Sequence, residues 1–262
     1  MLKALVFGTG EYYRNIRSKI VEKYEIVGFL TNDQKMINTE MDGVAVYHPQ
    51  YAGDITAVVI IIASMYHVTM FRQLLSLHVN KPILPGHFFQ PMEKNGETGR
   101  ARNSLAQFCV GDGVDIGYGG YPICETAICI DMPTPYTSLA RSQEYPQHLH
   151  GDATRLYWFN DDSLDYVYSS HLLEDFVDTK AVFKEWLRII KPGGVMVLYL
   201  PDEQDYRKSC SKRGVEPNGS HVHMNFGLNY MKSIVMGFKN AEIIHELYPS
   251  GSYSFELVVR KI

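Results

Sequence analysis

Short apolar runs alternate with amphipathic segments through residues 1–90. The run at 57–63 has seven consecutive apolar residues, rich in Val and Ile, which suits a strand buried on both faces of a parallel sheet. Residues 12–23 instead show the period of a helix, with Ile16, Ile20 and Val21 on one face. The full pattern predicts strands at 3–7, 25–30, 44–46, 57–63 and 81–84, and helices at 12–23 and 68–77. This alternation predicts a layered α/β unit with right-handed crossovers.

The alternation is interrupted between residues 85 and 105. Gly and Pro residues punctuate this stretch, and residues 93–102 are mostly polar. Such a composition is typical of a connecting segment, with room for one short helix. The sequence therefore predicts an N-terminal unit at 1–90, a connector at 91–107 and a second unit at 108–262.

The second half of the chain resumes the alternation. It predicts strands at 112–116, 127–131, 149–152, 163–169 and 195–200, helices at 180–190 and 228–236, and a terminal antiparallel pair at 241–246 and 255–260. The turn Lys191-Pro192-Gly193-Gly194 ends the helix at 180–190. Only about ten residues separate the first two strands, which suits a turn better than a full crossover helix. The predicted fold class is α/β, with two Rossmann-like units of which the second is trimmed.

A first glycine turn, Gly8-Thr9-Gly10, follows the first strand. A dinucleotide fingerprint requires a third glycine where this chain has Tyr13, although Asp33 stands where the acidic residue of that fingerprint is expected. Backbone amides at a helix start bind many anions. Three roles of this turn therefore agree with the sequence: binding of a nicotinamide cofactor, binding of a sugar nucleotide or similar anion, and a purely structural role. The pattern favours the structural role.

A second glycine turn, at 114–120, has an acidic residue at the strand end followed by two spaced glycines, Asp115, Gly117 and Gly119. This order is used to hold the amino-acid end of S-adenosylmethionine, because small residues let the backbone approach a ligand. Asp131 ends the next strand, where a carboxylate can bind both ribose hydroxyls. Gly151-Asp152-Ala153 follows the third strand, where a side chain can reach an adenine ring.

The second half resembles the class I S-adenosylmethionine-dependent methyltransferases. The resemblance is carried by segments at 114–120, 130–131, 151–153 and 163–171, by Ile189-Ile190-Lys191-Pro192-Gly193-Gly194, which is similar to the "LKPGG" turn of that family, and by residues 170–175, which resemble its "SHVLEH" segment. It covers residues 108–262. It implies a methyltransferase fold with S-adenosylmethionine as cofactor. The implied cofactor-binding residues are Asp115, Gly117, Gly119, Asp131, Met132, Asp152, Ala153 and Ser169.

The first half resembles a small Rossmann-like module of bacterial sugar and surface-polysaccharide enzymes. Residues 4–10, 27–33 and 42–44 carry this likeness. It implies a glycan pathway without naming a ligand.

Three histidines follow the fourth and fifth predicted strands of the second unit, where ligands bind in open α/β sheets. His223 is the first candidate for a general base toward a hydroxyl acceptor, His221 the second, and His171 the reserve. In an extended backbone His221 and His223 point the same way, as a metal pair would, but the sequence shows no third ligand. The prediction is therefore a site without metal, and a structural or solvated role is the alternative for each histidine.

A basic cluster follows the fifth predicted strand and consists of Arg207, Lys208, Lys212 and Arg213. Clustered charges usually face water, so a solvated loop is the simpler interpretation. In the functional interpretation Arg207 and Arg213 clamp a phosphate, since the guanidinium group offers bidentate geometry. An ionised phosphate-type acceptor would need this clamp more than it would need a base.

Composition narrows the partners and the compartment. The 262 residues carry a formal net charge of −4, and the pI is about 6.2, so the basic footprint of a nucleic-acid-binding protein is absent. No apolar run is long enough for membrane insertion, and the N-terminus shows no secretory signal, which predicts a cytoplasmic protein with reduced cysteines. The expected partner is a small-molecule acceptor. The composition does not decide between a monomer and a homo-oligomer.

Two functions from different classes agree with these features. The leading hypothesis is an enzyme that methylates oxygen of a small polar acceptor, namely a sugar- or phosphate-bearing precursor of a bacterial surface polysaccharide, phosphoramidate oxygen included. The alternative is a non-catalytic scaffold or ligand sensor with a methyltransferase fold, which the short gap after Gly120 supports. A nicotinamide oxidoreductase is disfavoured by Tyr13.

Overall fold

The computed structural model describes residues 1–64, 66–89, 96–132 and 147–262, except for the side chain of residue 87. The chain divides into two compact units, Met1–Met92 and Glu93–Ile262. Among the described helices, none has both the length and the apolar character that a membrane span requires.

The first unit is a six-stranded sheet with the order β3-β4-β2-β1-β5-β6. Only β3 pairs antiparallel, with β4. The elements are β1 (Leu2–Phe7), α1 (Glu11–Val21), β2 (Tyr24–Leu30), β3 (Glu40–Met41), β4 (Val44–Tyr47), β5 (Val59–Ile62), α2 (His67–Ser76) and β6 (Ile83–Pro85). Ala4 and Val6 of β1 belong to one buried cluster, whereas Leu5 and Phe7 belong to another. Alternate residues therefore enter cores on opposite faces, as expected for a strand covered on both sides.

The glycine turn of the first unit is held by close backbone packing. Gly8 has φ +121°, and a Cβ atom there would lie 2.3 Å from the carbonyl oxygen of Ala63. Tyr13, which replaces the third glycine, is fully buried, packs edge-on against Phe29 and donates a hydrogen bond of 2.6 Å to Asp42. These contacts agree with a structural role of the turn.

The second unit is a seven-stranded sheet with the order β12-β13-β11-β10-β7-β8-β9. Strand β13 pairs antiparallel with both β11 and β12, and the strands from β11 to β9 are parallel. The elements are α3 (Gly96–Leu105), β7 (Gly113–Ile116), β8 (Ile128–Asp131), β9 (Leu149–His150), β10 (Leu164–Ser170), α4 (Thr179–Ile189), β11 (Ile190–Pro201), α5 (Glu203–Arg213), α6 (Leu228–Val235), β12 (Ala241–Ser250) and β13 (Ser254–Lys261). The α/β fold class with a terminal antiparallel pair is confirmed.

The short connection between β7 and β8 contains turns and no helix. The Gly117 amide donates to the Ile130 carbonyl at 2.8 Å, so the chain folds back onto the neighbouring strand directly after β7. The predicted trimming of this crossover is therefore confirmed.

Three segments differ from the expected pattern. Residues 96–105, assigned to the connector, form α3 within the second unit. Strand β11 begins at Ile190 and includes the predicted turn at 191–194. The basic cluster was predicted in a loop, which is wrong, because it lies on α5. That helix buries only Glu203 and Cys210 and thus has no apolar stripe, but Asp202 caps its start and Gly214, with φ 66°, caps its end.

Candidate functional site

A cavity of about 890 Å³ lies in the second unit at the carboxyl ends of its parallel strands. Because β7, β8 and β9 are neighbours, the residues that follow them line one side, which we call the β8 side. Residues that follow β10 and β11 line the other side, together with Glu97 of α3 and Tyr253 before β13, and we call it the β11 side. Of the eight predicted cofactor-binding residues, six line the cavity, namely Gly117, Gly119, Asp131, Met132, Asp152 and Ala153.

The glycine turn after β7 adopts backbone angles that favour glycine. Gly117 has φ +67° and Gly119 has φ +56°. A Cβ atom on Gly117 would lie 2.7 Å from Cδ2 of Leu172, which itself lines the cavity. The two glycines therefore keep the backbone close to the cavity where a bulkier residue would intrude.

Asp131 places a carboxylate on the β8 side. Its Oδ1 accepts a hydrogen bond from the Met132 amide at 2.8 Å, and its Oδ2 accepts one from the Gly119 amide at 3.3 Å. Burial raises the pKa of this carboxyl, whereas the two amide donors lower it. The group has acceptor capacity left for a pair of hydroxyls.

Asp115 and Ser169 do not line the cavity among the residues described. Asp115 is fully buried, and its Oδ2 accepts from the Ile123 amide at 2.7 Å. The Ser169 hydroxyl donates to the Ile116 carbonyl at 2.8 Å. Both side chains thus hold the backbone around the glycine turn.

The buried Asp115 carboxyl gives a testable pH dependence. Burial raises its pKa well above the ordinary value, so the folded chain keeps this proton to higher pH than the unfolded chain. The free energy of unfolding must then fall as pH rises from about 4, the unfolded pKa, toward the folded value. Relative to wild type, Asp115→Asn should gain about 1 kcal/mol or more between pH 4 and 8 in chemical denaturation. Stability curves that run parallel across this range would contradict the assignment.

The β11 side of the cavity is acidic and aromatic. It is lined by Glu97, His171, Glu174, Tyr206, Arg213, His221 and Tyr253, among others. Glu174 is only 1% exposed, and burial raises its pKa well above the ordinary value, with the carboxylates of Asp175, Glu203 and Glu97 adding to the rise. Neither oxygen of its carboxylate has a hydrogen-bond partner among the described residues.

His221 is oriented by a buried carboxylate. Its Nδ1 lies 2.6 Å from Oε2 of Glu203, a residue that is fully buried in α5. Arg207, one turn further along α5, places its Nε 2.5 Å from Oε1 of the same Glu203. With Nδ1 held in this way, Nε2 lies on the side of Glu174, at 3.7 Å from its Oε1.

His171 lines the cavity in a neutral form. Burial, together with the nearby His221 and Arg100, lowers its pKa to about 3. Its Nε2 is 3.1 Å from the Ser254 hydroxyl, and its ring packs against Tyr199 and Tyr253. A ring held in this way is suited to positioning rather than to accepting a proton.

His223, the first candidate for the base, does not line the cavity. Its Nε2 is 2.8 Å from the Phe176 carbonyl and 3.1 Å from the Thr179 hydroxyl, and its ring packs against Phe226 and Tyr230. The two imidazoles of the His-Val-His segment therefore do not face the same site.

The two arginines of the predicted phosphate clamp do not lie at the same site. Arg213 is exposed and lines the cavity, whereas Arg207 is paired with Glu203. Sequence reasoning missed Glu97, Glu174, Glu203 and Tyr253. The only signal was for Glu174, which lies in the segment similar to "SHVLEH".

The cavity can be tested against the expected cofactor. Its volume of about 890 Å³ falls within the ~300–1,000 Å³ of small-molecule sites. The glycine turn supplies close backbone approach, Asp131 offers a carboxylate for a diol, and Asp152 with Ala153 follows the next strand. The residues present on the β8 side therefore fit S-adenosylmethionine.

Two family models match the chain. Residues 108–198 match a family described as a methyltransferase domain, and residues 1–83 match one described as C2185-like, N-terminal. No curated protein matches the chain. The first match includes the glycine turn, Asp131 and Glu174. Residues 108–198 of the second unit are therefore similar to a methyltransferase domain, which agrees with S-adenosylmethionine as the cofactor.

Several solved structures of S-adenosylmethionine-dependent methyltransferases are similar to part of the chain. One from Mesorhizobium loti is 13% identical and covers 64% of this chain and 99% of its own, with a TM-score of 0.46. One from Aquifex aeolicus is 11% identical, with coverages of 58% and 82% and a TM-score of 0.42. One from Thermotoga maritima, described as a possible histamine N-methyltransferase, is 18% identical, with coverages of 75% and 96% and a TM-score of 0.44.

Proposed function

We propose that the second unit transfers a methyl group from S-adenosylmethionine to an oxygen atom of a small polar acceptor. The observation that carries the proposal is the two-sided cavity. Its β8 side presents the glycine turn and Asp131, and its β11 side presents His221 with Glu174. The acceptor would be a sugar- or phosphate-bearing precursor of a bacterial surface polysaccharide, a class supported by the likeness of residues 4–10 and 27–33 to modules of such enzymes.

The cofactor supplies an electrophilic methyl group, and the chain supplies position. Methyl transfer requires the acceptor lone pair in line with the methyl group, so a cavity that holds both molecules contributes much of the rate. Tyr206 and Tyr253 offer aromatic faces for a sugar ring. Arg213 is the exposed cation that an acceptor phosphate could reach.

His221 is the residue that we propose to activate the acceptor oxygen. When a hydroxyl is methylated its proton must leave, and a group within hydrogen-bond reach assists this step. Glu203 accepts the Nδ1 proton of His221 and thereby leaves the Nε2 lone pair on the cavity side. His171 is too weakly basic for this task and would position the acceptor.

Cofactor binding gives a direct test of the β8 side. Asp131→Ala should weaken the binding of S-adenosylhomocysteine by about 1–3 kcal/mol, because charge-assisted hydrogen bonds to the ribose are lost. Isothermal titration calorimetry measures this difference. Asp161→Ala, at an exposed carboxylate that pairs with Arg188, is the matched control and should bind as wild type does. Equal affinity of Asp131→Ala and wild type would move the ribose site elsewhere.

The acceptor is best identified by mass spectrometry. The full chain with S-adenosylmethionine would be incubated with sugar nucleotides and capsule-type precursors, and products would be screened for the mass of one added methylene group. Tandem spectra then show whether the methyl group is on oxygen. Binding of S-adenosylhomocysteine without any methylated product would favour the scaffold, and methylation at nitrogen or carbon would overturn the oxygen assignment.

A further inference from the structure

We propose that Glu174, Asp175 and His221 bind a divalent metal cation on the β11 side of the cavity. Each residue offers one ligand atom, and these three atoms all lie within 4.8 Å of one another. A cation with bonds of about 2.0–2.2 Å holds its ligand atoms up to ~4.4 Å apart, so a small movement of side chains closes the set. The binding of the cation stands on this geometry, whereas its role in methyl transfer rests on the proposed function.

The Glu174 carboxylate points to a ligand independently of the cluster. It is 1% exposed and lines the cavity, and neither oxygen has a hydrogen-bond partner among the described residues. A buried carboxylate without partners costs several kcal/mol unless a proton or a cation neutralises it. The nearest polar ring atoms, Nε2 of His221 and Nδ1 of His171, lie at 3.7 and 3.8 Å, beyond hydrogen-bond distance. This arrangement leaves space for an ion bound to the carboxylate.

The orientation of His221 agrees with ligation through Nε2. Histidines that bind metals almost always donate their other ring N–H to a carboxylate, which fixes the tautomer and the ring direction. Here Oε2 of Glu203 accepts a hydrogen bond from Nδ1 of His221 at 2.6 Å, and Arg207 forms an ion pair with Oε1 of the same Glu203. Glu203 is therefore a positioning residue for the proposed site. The missing third ligand of the His-Val-His segment is supplied by carboxylates from the loop after β10 and not by His223.

The donor set limits the kind of ion. Two carboxylates with one imidazole suit a divalent cation such as Mn²⁺, Fe²⁺ or Zn²⁺, and they lack the thiolates that soft ions prefer. Three protein ligands leave coordination positions open toward the cavity. With the cation bound, Nε2 of His221 would be its ligand and no longer a free base. The cation would then take over the activation of the acceptor: it would lower the pKa of a hydroxyl in one of these positions, and the proton would leave to water. The site thus gives a physical reason for preferring a polar, oxygen-bearing acceptor.

The test is a titration of the metal-free full chain with Mn²⁺, followed by the electron paramagnetic resonance signal of the free ion. Wild type should bind one Mn²⁺ per chain. Glu174→Gln and His221→Ala should weaken binding by more than the ~10–100-fold that loss of an outer partner costs, and Glu203→Gln should fall within that range. Glu242→Gln, at an exposed carboxylate outside the cavity, is the matched control and should bind as wild type does.

Thermal unfolding of the same samples shows whether a variant that does not bind Mn²⁺ is still folded. Mn²⁺ should raise the melting temperature of wild type and of Glu242→Gln, but not that of Glu174→Gln, because only a folded site gains stability by binding. If Glu174→Gln shows no folded transition, Asp175→Asn takes its place. No Mn²⁺ binding by wild type, or equal binding by wild type and the ligand variants, would overturn the site.

The metal site and the proposed function can fail separately. Calorimetry with S-adenosylhomocysteine and the acceptor screen are run on the same preparations with and without a chelator. Methyl transfer that continues at full rate with chelator refutes the role of the cation and leaves the function intact. Mn²⁺ binding without any S-adenosylhomocysteine binding supports the site and refutes the methyltransferase function.

Discussion

His221→Ala is expected to lower the rate of methyl transfer by about 10²–10⁴-fold, the usual effect of removing a group that assists proton removal from the acceptor. The affinity for S-adenosylhomocysteine should be almost unchanged, because His221 lies on the β11 side of the cavity and the predicted cofactor-binding residues lie on the β8 side. Turnover is measured with a confirmed hydroxyl acceptor, and affinity is measured by calorimetry. The measured loss would show that His221 takes part in activating the acceptor oxygen.

His223→Ala is the matched control for this experiment. It removes an imidazole from the same segment, but that ring contacts the Phe176 carbonyl and Thr179 and does not line the cavity. Its effect should be on stability more than on turnover. His221→Gln, which keeps a donor near the buried Glu203, guards against loss of folding and should still be slow. A His221 variant with full turnover, or a larger loss in His223→Ala, would return the role to His223.

The sequence could not predict which of these two histidines faces the cavity. In an extended strand residues two apart face the same side, but here the His221 amide bonds to the Asn218 carbonyl and the Phe226 amide bonds to the His223 carbonyl. These turns break the strand geometry, and the rings diverge. His221, and not His223, is oriented by Glu203. That residue lies 18 positions earlier in the chain and comes close to His221 because α5 packs beside this segment.

The β8 side was more predictable because its signals are local. A glycine turn after an apolar strand, followed by an acidic strand end, fixes backbone geometry within a few residues, and Gly117, Gly119 and Asp131 do line the cavity. The β11 side depends on contacts between distant segments. Glu97 comes from α3, Glu174 from the loop after β10, and Tyr253 from the turn just before β13. No spacing in the sequence brings these three residues together.

Helix α5 shows a second limit of pattern analysis. Hydrophobic periodicity identifies a helix by its buried stripe, and α5 buries only Glu203 and Cys210. Its boundaries were nevertheless marked, by Asp202 at the start and by Gly214 at the end. Hydrophobic periodicity does not detect Glu203 because its side chain is charged, yet this buried carboxylate is the group that orients His221.

Gly117→Val should remove the binding of S-adenosylhomocysteine below detection in calorimetry while the chain stays folded. A β-branched residue at φ +67° is strained, since that region is rarely accessible to such side chains. Its Cβ would lie 2.7 Å from Cδ2 of Leu172, so the cavity wall must also shift. Strain in the turn and displacement of the wall both act where we propose that the backbone approaches the cofactor. The fold tolerates the change because β7 itself is complete at Ile116.

Gly193→Val separates loss of the site from simple backbone strain. Gly193 also has a positive φ, +84°, but a Cβ atom there meets nothing within 4 Å, and the residue does not line the cavity. Both variants should lose stability in thermal unfolding, by about 1–3 kcal/mol for the unfavourable φ. Only Gly117→Val should lose the ligand. If the two variants bind S-adenosylhomocysteine equally well, the second glycine turn is structural and the cofactor must be held elsewhere.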